Sequence, residues 1–220
     1  MIILHGFATS NYFNMVKHAL MFKGCDFEEN TLYPQAPGLR AISATGKVPA
    51  ITTASGQHLA ETSVILDYLE DLHPQPRLYP ETAEARAQTR QLMKVLELYL
   101  DIPARKLLPA VLGRQTPDPT VAKQTQNSLT KGCEMVAQLT SMAPYALGDQ
   151  LSMADIFMRY ALSIPTMVKP LLPDSDPLLA VPGLAEWQRI MANTDIARRI
   201  DADQAANYAE FMARISAKSK

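Results

Sequence analysis

The chain has 220 residues, 47% of them hydrophobic, with 21 basic against 22 acidic side chains and a formal net charge of −1. That is enough apolar material for one large domain or two small ones, and the basic residues are scattered, so the pattern carries no nucleic-acid footprint. The opening run Met1-Ile2-Ile3-Leu4 has no basic flank and stops at His5-Gly6, too short for a signal peptide or a membrane span, which predicts a cytosolic chain.

Taken in order, the first stretch reads as a strand over Ile2–Phe7, a helix over about Asn11–Lys23 ended by Gly24, and a strand over Asp26–Leu32. A loop with a short helix leads to "TGKVPAI" (45–51), where Pro49 stands at the mouth of a strand; proline has no N–H for a ladder and belongs at strand starts, edges or bulges. Ile51-Thr52-Thr53 and Gln57-His58-Leu59 flank Ala54-Ser55-Gly56, a hairpin signal, and Val64, Ile65, Tyr68, Leu69 and Leu72 mark one helix face. The order is β-α-β, then β-β-α.

"HPQPRLYPETAEA" follows, with Pro74, Pro76 and Pro80, and reads as a linker between a domain over 1–75 and a second over 84–220. Beyond it Leu92, Val95, Leu96 and Tyr99 mark one helix and Leu129, Cys133, Val136 and Leu139 another, which predicts an all-helical bundle. In "GDQLSMADIFMRYAL", Ser152 and Asp155 have the spacing of a capping box, with Leu151 and Ile156 at the staple positions, so Asp155 is assigned a structural role. Cys25 and Cys133 show no C-x-x-C pattern, and His5, His18, His58 and His73 fall in different elements without carboxylate partners in sequence, which predicts no redox dithiol, metal site or hydrolase triad. The eleven methionines read as adaptable core filler, some of them available to line an apolar pocket.

The succession of "GKVPAI", "LAETSVILDYLED", a Pro-rich linker and "ALGDQLSMADI" resembles the cytosolic glutathione transferases over nearly the whole chain. The resemblance implies a thioredoxin-like first domain, an all-helical second domain that supplies the electrophile pocket, a cytoplasmic homodimer acting in detoxification, glutathione as co-substrate, and no membrane or nucleic-acid partner.

It also implies a site. The bond Val48-Pro49 would be cis, and the Val48 N–H and C=O would pair with the cysteinyl backbone of glutathione as with an added strand. Thr62 and the N–H groups at its helix start would meet the γ-glutamyl carboxylate, with Ser63 beside them, while the Glu61 carboxylate would meet the ammonium; the family's usual pair is Glu or Gln followed by Ser, so Thr62 adds a methyl and keeps the hydroxyl. Lys47 faces the glycyl carboxylate or solvent. The thiol needs an anion-stabilising donor to fall below its ordinary pKa near 8.5, and the position falls on Ser10, at the start of the first helix. Ser10 or Asn11 as a plain helix cap, Tyr12 as the donor, and backbone donors stay open as alternatives. The reaction implied is thiolate attack on an electrophile. A zeta-like glutathione-dependent isomerase is the second reading, although "TSNYF" lacks the Ser-Ser-Cys run of that class; a non-catalytic binding protein is the third.

Overall fold

The computed structural model describes residues 1–174 and 176–217; the last positions of the expected second domain, 218–220, lie outside them. Two compact units divide the chain: Met1–Leu78 together with the segment from Asn193 onward, and Tyr79–Ala192.

In the first unit β1 (Ile2–Gly6) pairs in parallel with β2 (Phe27–Thr31), Ile2 opposite Phe27 and Gly6 opposite Thr31. A parallel pair needs a crossover, and α1 (Asn11–Phe22) provides it. Gly24, at φ +63°, ends that helix by turning the chain so that the Cys25 N–H reaches the Leu20 carbonyl. The short α2 (Leu39–Ile42) leads to β3 (Ala50–Thr52), antiparallel to β1 with Leu4 opposite Ile51, and β4 (His58–Ala60) folds back on β3 with Ile51 opposite Leu59. Gly56, at φ +84°, makes the hairpin turn, and α3 (Thr62–Leu72) closes the motif. The strand order is β2-β1-β3-β4, the thioredoxin-like arrangement that the resemblance implies.

Period-2 alternation in β1 turns Leu4 inward beside Ile51, and period-3.6 stripes on α1 and α3 bring Val16, Ala19, Leu20, Ile65, Leu66 and Leu69 to the same core, all without solvent exposure. Each of the Leu, Ile and Val side chains among them contributes about 1.5–3 kcal/mol by burial. Beneath this core the Lys23 ammonium and the Glu70 carboxylate form a buried pair at 2.7 Å. The ammonium also donates to the carbonyls of His73 (2.7 Å) and Pro76 (3.0 Å), and the carboxylate accepts from the Leu78 N–H at 3.2 Å. The proline-rich segment is therefore tied to the end of α1 and to α3.

The second unit is helical: α4 (Ala83–Val95), a π-helical turn over Leu96–Asp101, the short α5 (Ile102–Ala104) and α6 (Leu108–Val111) around a 3₁₀ turn, then α7 (Pro119–Leu139), α8 (Met153–Ala161), α9 (Ser163–Val168) and α10 (Leu184–Ala192). Leu92, Leu96, Leu129, Cys133 and Val136 are buried as their periodicity predicts. Tyr99 is not, at 43% exposure, because the π turn adds a residue to the repeat and rotates the following positions off the α-helical stripe. Gly132 of α7 accommodates this turn: a Cβ there would stand 2.8 Å from the Tyr99 carbonyl oxygen and 2.6 Å from the Leu100 side chain. None of the helices among the described residues is long and apolar enough to cross a membrane.

The last helix, α11 (Asp195–Ala217), belongs to the first unit. It meets that unit through Asp203, Asn207, Phe211 and Arg214, positions spaced by four, four and three residues and hence on one face. Asp203 pairs with the buried Lys17 of α1 at 2.7 Å, and Lys17 also pairs with Glu29 of β2 at 2.6 Å.

Candidate functional site

The register of the sheet collects the candidate residues. His5 lies opposite Ala50, and Ala50 opposite Ala60, so three departures of the chain leave from one end of the sheet: Gly6 toward Ser10, Val48-Pro49 into Ala50, and Ala60 into Glu61-Thr62.

Ser10 is the N-cap of α1, at φ −81° and ψ 118°, and its Oγ accepts from the Phe13 N–H at 3.4 Å. It is half-buried, and its own N–H donates to the Phe7 carbonyl at 2.9 Å. Helix capping is thus one role of Ser10, and the long cap bond leaves room for a second partner at the same oxygen. Gly6 permits the turn: at φ +156° it occupies a region that favours glycine, and a Cβ there would collide with the Phe13 ring. Asn11 is buried, and Tyr12, the second residue of the same helix, is half-buried.

Val48-Pro49 is cis. Pro49 and Ala50 are buried, Val48 is half-buried and Lys47 is exposed, so the strand entry is anchored from its inner side while the residues before it reach solvent.

Glu61 is exposed and sits at φ +70°, one of three non-glycine residues with positive φ among those described. A sparsely populated positive-φ conformation costs such a residue roughly 1–3 kcal/mol, and backbone strain of this kind gathers at ligand sites. Glu61 holds the N-cap position of α3 without a side-chain cap bond, so the first N–H groups of the helix, from the buried Thr62 onward, are left for an anion.

Asp155 behaves differently. Fully buried at the start of α8, it closes the capping box with Ser152. Its Oδ2 accepts from the Ser152 N–H (2.8 Å) and hydroxyl (2.7 Å), while its Oδ1 accepts from the Ala146 N–H (2.7 Å) and the Trp187 indole N–H (2.8 Å). The pattern Ser-x-x-Asp signals the box; nothing local in the sequence signals Trp187 or Ala146.

A polar row crosses the sheet that sequence spacing does not reveal. Asn30 donates to His5 Nδ1 (3.0 Å), His5 Nε2 meets Thr52 Oγ1 (2.7 Å), and the same oxygen meets His58 Nδ1 (3.0 Å). Burial, and then the neighbouring His58, hold the His5 imidazole below its usual pKa. No carboxylate joins the row, and no group of metal-binding side chains occurs among the described residues. Burial also pushes the Cys133 thiol up to about 12 and raises that of Cys25, so neither is a ready nucleophile.

Residues 4–77 match the family model described as Glutathione S-transferase, N-terminal domain. A glutathione S-transferase of Pseudomonas putida is 36% identical over 98% of this chain and 98% of its own length. A maleylacetoacetate isomerase of Pseudomonas aeruginosa is 26% identical over 69% of this chain and 74% of its own. Among solved structures, a glutathione S-transferase of Methylobacillus flagellatus with glutathione bound shares the fold at a TM-score of 0.76, with 20% identity, covering 91% of this chain and 98% of that one. Fold, family model and near-full-length identity agree: the chain belongs to the glutathione S-transferase family and is an enzyme whose co-substrate is glutathione.

Proposed function

We propose that the protein conjugates the glutathione thiolate to an electrophilic small molecule. Ser10 Oγ–H donates to the thiolate, the Val48 backbone pairs with the cysteinyl peptide beyond Pro49, Lys47 meets the glycyl carboxylate, and Thr62 with the α3 N-terminus holds the γ-glutamyl carboxylate while Glu61 holds its ammonium. One observation carries this reading: the β1, β3 and β4 register gathers a hydroxyl at a helix start, an anchored cis-proline entry and an uncapped helix N-terminus at one end of the sheet. In the reaction the sulfur lone pair forms a C–S bond as the electrophile's leaving group departs with its electron pair, and Ser10 returns its hydrogen bond to the next thiolate.

The relative named maleylacetoacetate isomerase supports a second reading, in which the thiolate adds to an alkene, a C–C bond rotates and the same thiolate is expelled. The two readings differ in mass balance. Incubation with a chloronitroarene should consume glutathione and release chloride, whereas incubation with a cis-unsaturated diketo acid should leave the glutathione pool unchanged if isomerisation occurs. Retention on immobilised glutathione without either activity would make the protein a binder and overturn both. We further infer a cytoplasmic homodimer with a part in detoxification. The exposed apolar side chains Leu98 (50%), Tyr99 (43%) and Ile102 (44%) support an interface, and light scattering that gave a monomer mass would remove it.

A further inference from the structure

The turn that carries Ser10 is held from two sides. From inside, Asn14 of α1 donates from Nδ2 to the Ala8 carbonyl at 2.8 Å. From outside, Asn207 of α11 accepts at Oδ1 from both the Thr9 N–H (3.2 Å) and the Thr9 hydroxyl (2.7 Å), while its Nδ2 donates to the Tyr33 hydroxyl at 3.1 Å. Around this amide stands a layered stack: Arg214 lies 4.2 Å from the Tyr33 ring centroid, Tyr33 stacks on Phe7 at 4.7 Å, and Phe7 stacks on Phe211 at 5.6 Å. Phe7 is also the residue whose carbonyl receives the Ser10 N–H. One face of α11 therefore grips Phe7 and Thr9, the two residues that fix the entry of the chain into Ser10.

We propose that Asn207 is a positioning residue for the sulfur chemistry: it acts through Thr9 to set the direction of the Ser10 hydroxyl. A side chain that caps α1 with a 3.4 Å bond is only loosely aimed by its own helix, so its orientation depends on the preceding residue. Asn207 is the group that holds that residue by both of its hydrogen-bond donors. The amide is suited to the task because its one acceptor oxygen serves both Thr9 donors while its Nδ2 donates to the Tyr33 hydroxyl and, at 3.5 Å, to the Glu210 carboxylate.

This role rests on the assignment of Ser10 to the thiolate, and the experiment separates the two. Absorbance of bound thiolate against pH, and kcat with KM for a chloronitroarene, are measured for the parent, Ser10→Ala, Asn207→Ala, Thr9→Val and the Thr9→Val/Asn207→Ala pair. The expected result is a raised titration midpoint in Asn207→Ala and a kcat at neutral pH lower by about tenfold, as for a modestly misplaced group, with KM for glutathione within about twofold because the peptide is held elsewhere. Thr9→Val should give a smaller shift of the same sign, and the pair should be no worse than Asn207→Ala alone. A shifted curve for Ser10→Ala beside unshifted curves for folded Asn207→Ala and Thr9→Val overturns Asn207 alone. An unshifted curve for Ser10→Ala overturns the Ser10 assignment and the positioning role with it. Should Asn207→Ala fail to fold, Thr9→Val decides: parent-like titration and kcat overturn the proposal, and a raised midpoint supports it.

Discussion

At the scale of single residues, the proposed function gives the hydroxyl of Ser10 and the carboxylate of Glu61 two different tasks that glutathione sets. On that proposal, removal of the Ser10 hydroxyl deletes a hydrogen bond to a charged group, worth about 1.5–3 kcal/mol, without a matching loss from the protonated thiol. With 1.36 kcal/mol per pKa unit, the bound thiol of Ser10→Ala should titrate roughly one to two units higher, and the rate at neutral pH should fall about ten- to a hundredfold; a parallel curve for Tyr12→Phe shows whether Tyr12 shares the role. Glu61→Gln should instead weaken glutathione binding by about 1–3 kcal/mol in calorimetry while leaving the thiol's titration in place, since its proposed partner is the distant ammonium. What was legible in the sequence is the local setting of each, a helix start after the first strand and the Glu-Thr pair before an apolar helix face, both of which the fold reproduces; their roles come from the resemblance and stay proposals. The strain at Glu61 was not legible, because a positive φ at glutamate follows from the tertiary fit of β4 to α3 and leaves no mark on composition.

Among the elements, the capping box at α8 and the polar row across the sheet respond to different stresses. Asp155→Ala leaves the Trp187 indole and the Ala146 N–H buried without their acceptor, at about 1–3 kcal/mol for each such group besides the lost cap of about 0.5–2 kcal/mol. Chemical denaturation should therefore show a loss of several kcal/mol with the bound-thiol titration unchanged. The sequence supplied the box but not its cost, since Trp187 lies thirty-two positions away from the carboxylate it reaches. In the same way Lys23→Met should destabilise the first unit by about 3–5 kcal/mol, by leaving the Glu70 carboxylate buried without its cation. The polar row gives a pH dependence. His5 has a folded pKa held below its unfolded value near 6.5, so the unfolded chain binds the proton first. Its contribution to stability is complete above that value and is lost as pH falls through it toward the lower folded pKa. Urea midpoints measured from about pH 7 down to about pH 5 should fall more steeply for the parent than for His5→Gln.

Across the whole molecule, α11 returns to the unit in which the chain begins. Its docking face escaped the hydrophobic pattern because Asp203, Asn207 and Arg214 join it by charge and hydrogen bonding and only Phe211 by apolar contact, so a stripe that packs well reads as a solvated one. Deletion of the segment from Asn193 onward should expose the α1 backbone amides to hydrogen exchange while those of α7 stay protected, because Lys17 loses Asp203, Thr9 loses Asn207 and Phe7 loses Phe211, and the second unit loses none of its own helices. The same topology orders events on the ribosome. The sheet, α1 and α3 emerge early, yet the helix that completes their unit is synthesised only after the whole of Tyr79–Ala192, an interval of roughly 6–23 seconds at about 5–20 residues per second. Until then the nascent Lys17 has only Glu29, and the residues leading into Ser10 lack their outer clamp. If Ser10 serves the thiolate as proposed, the thiol site is thus the last feature of the first-made unit to be finished, and the growing chain carries its sheet for most of its synthesis without the helix that clamps the entry to Ser10.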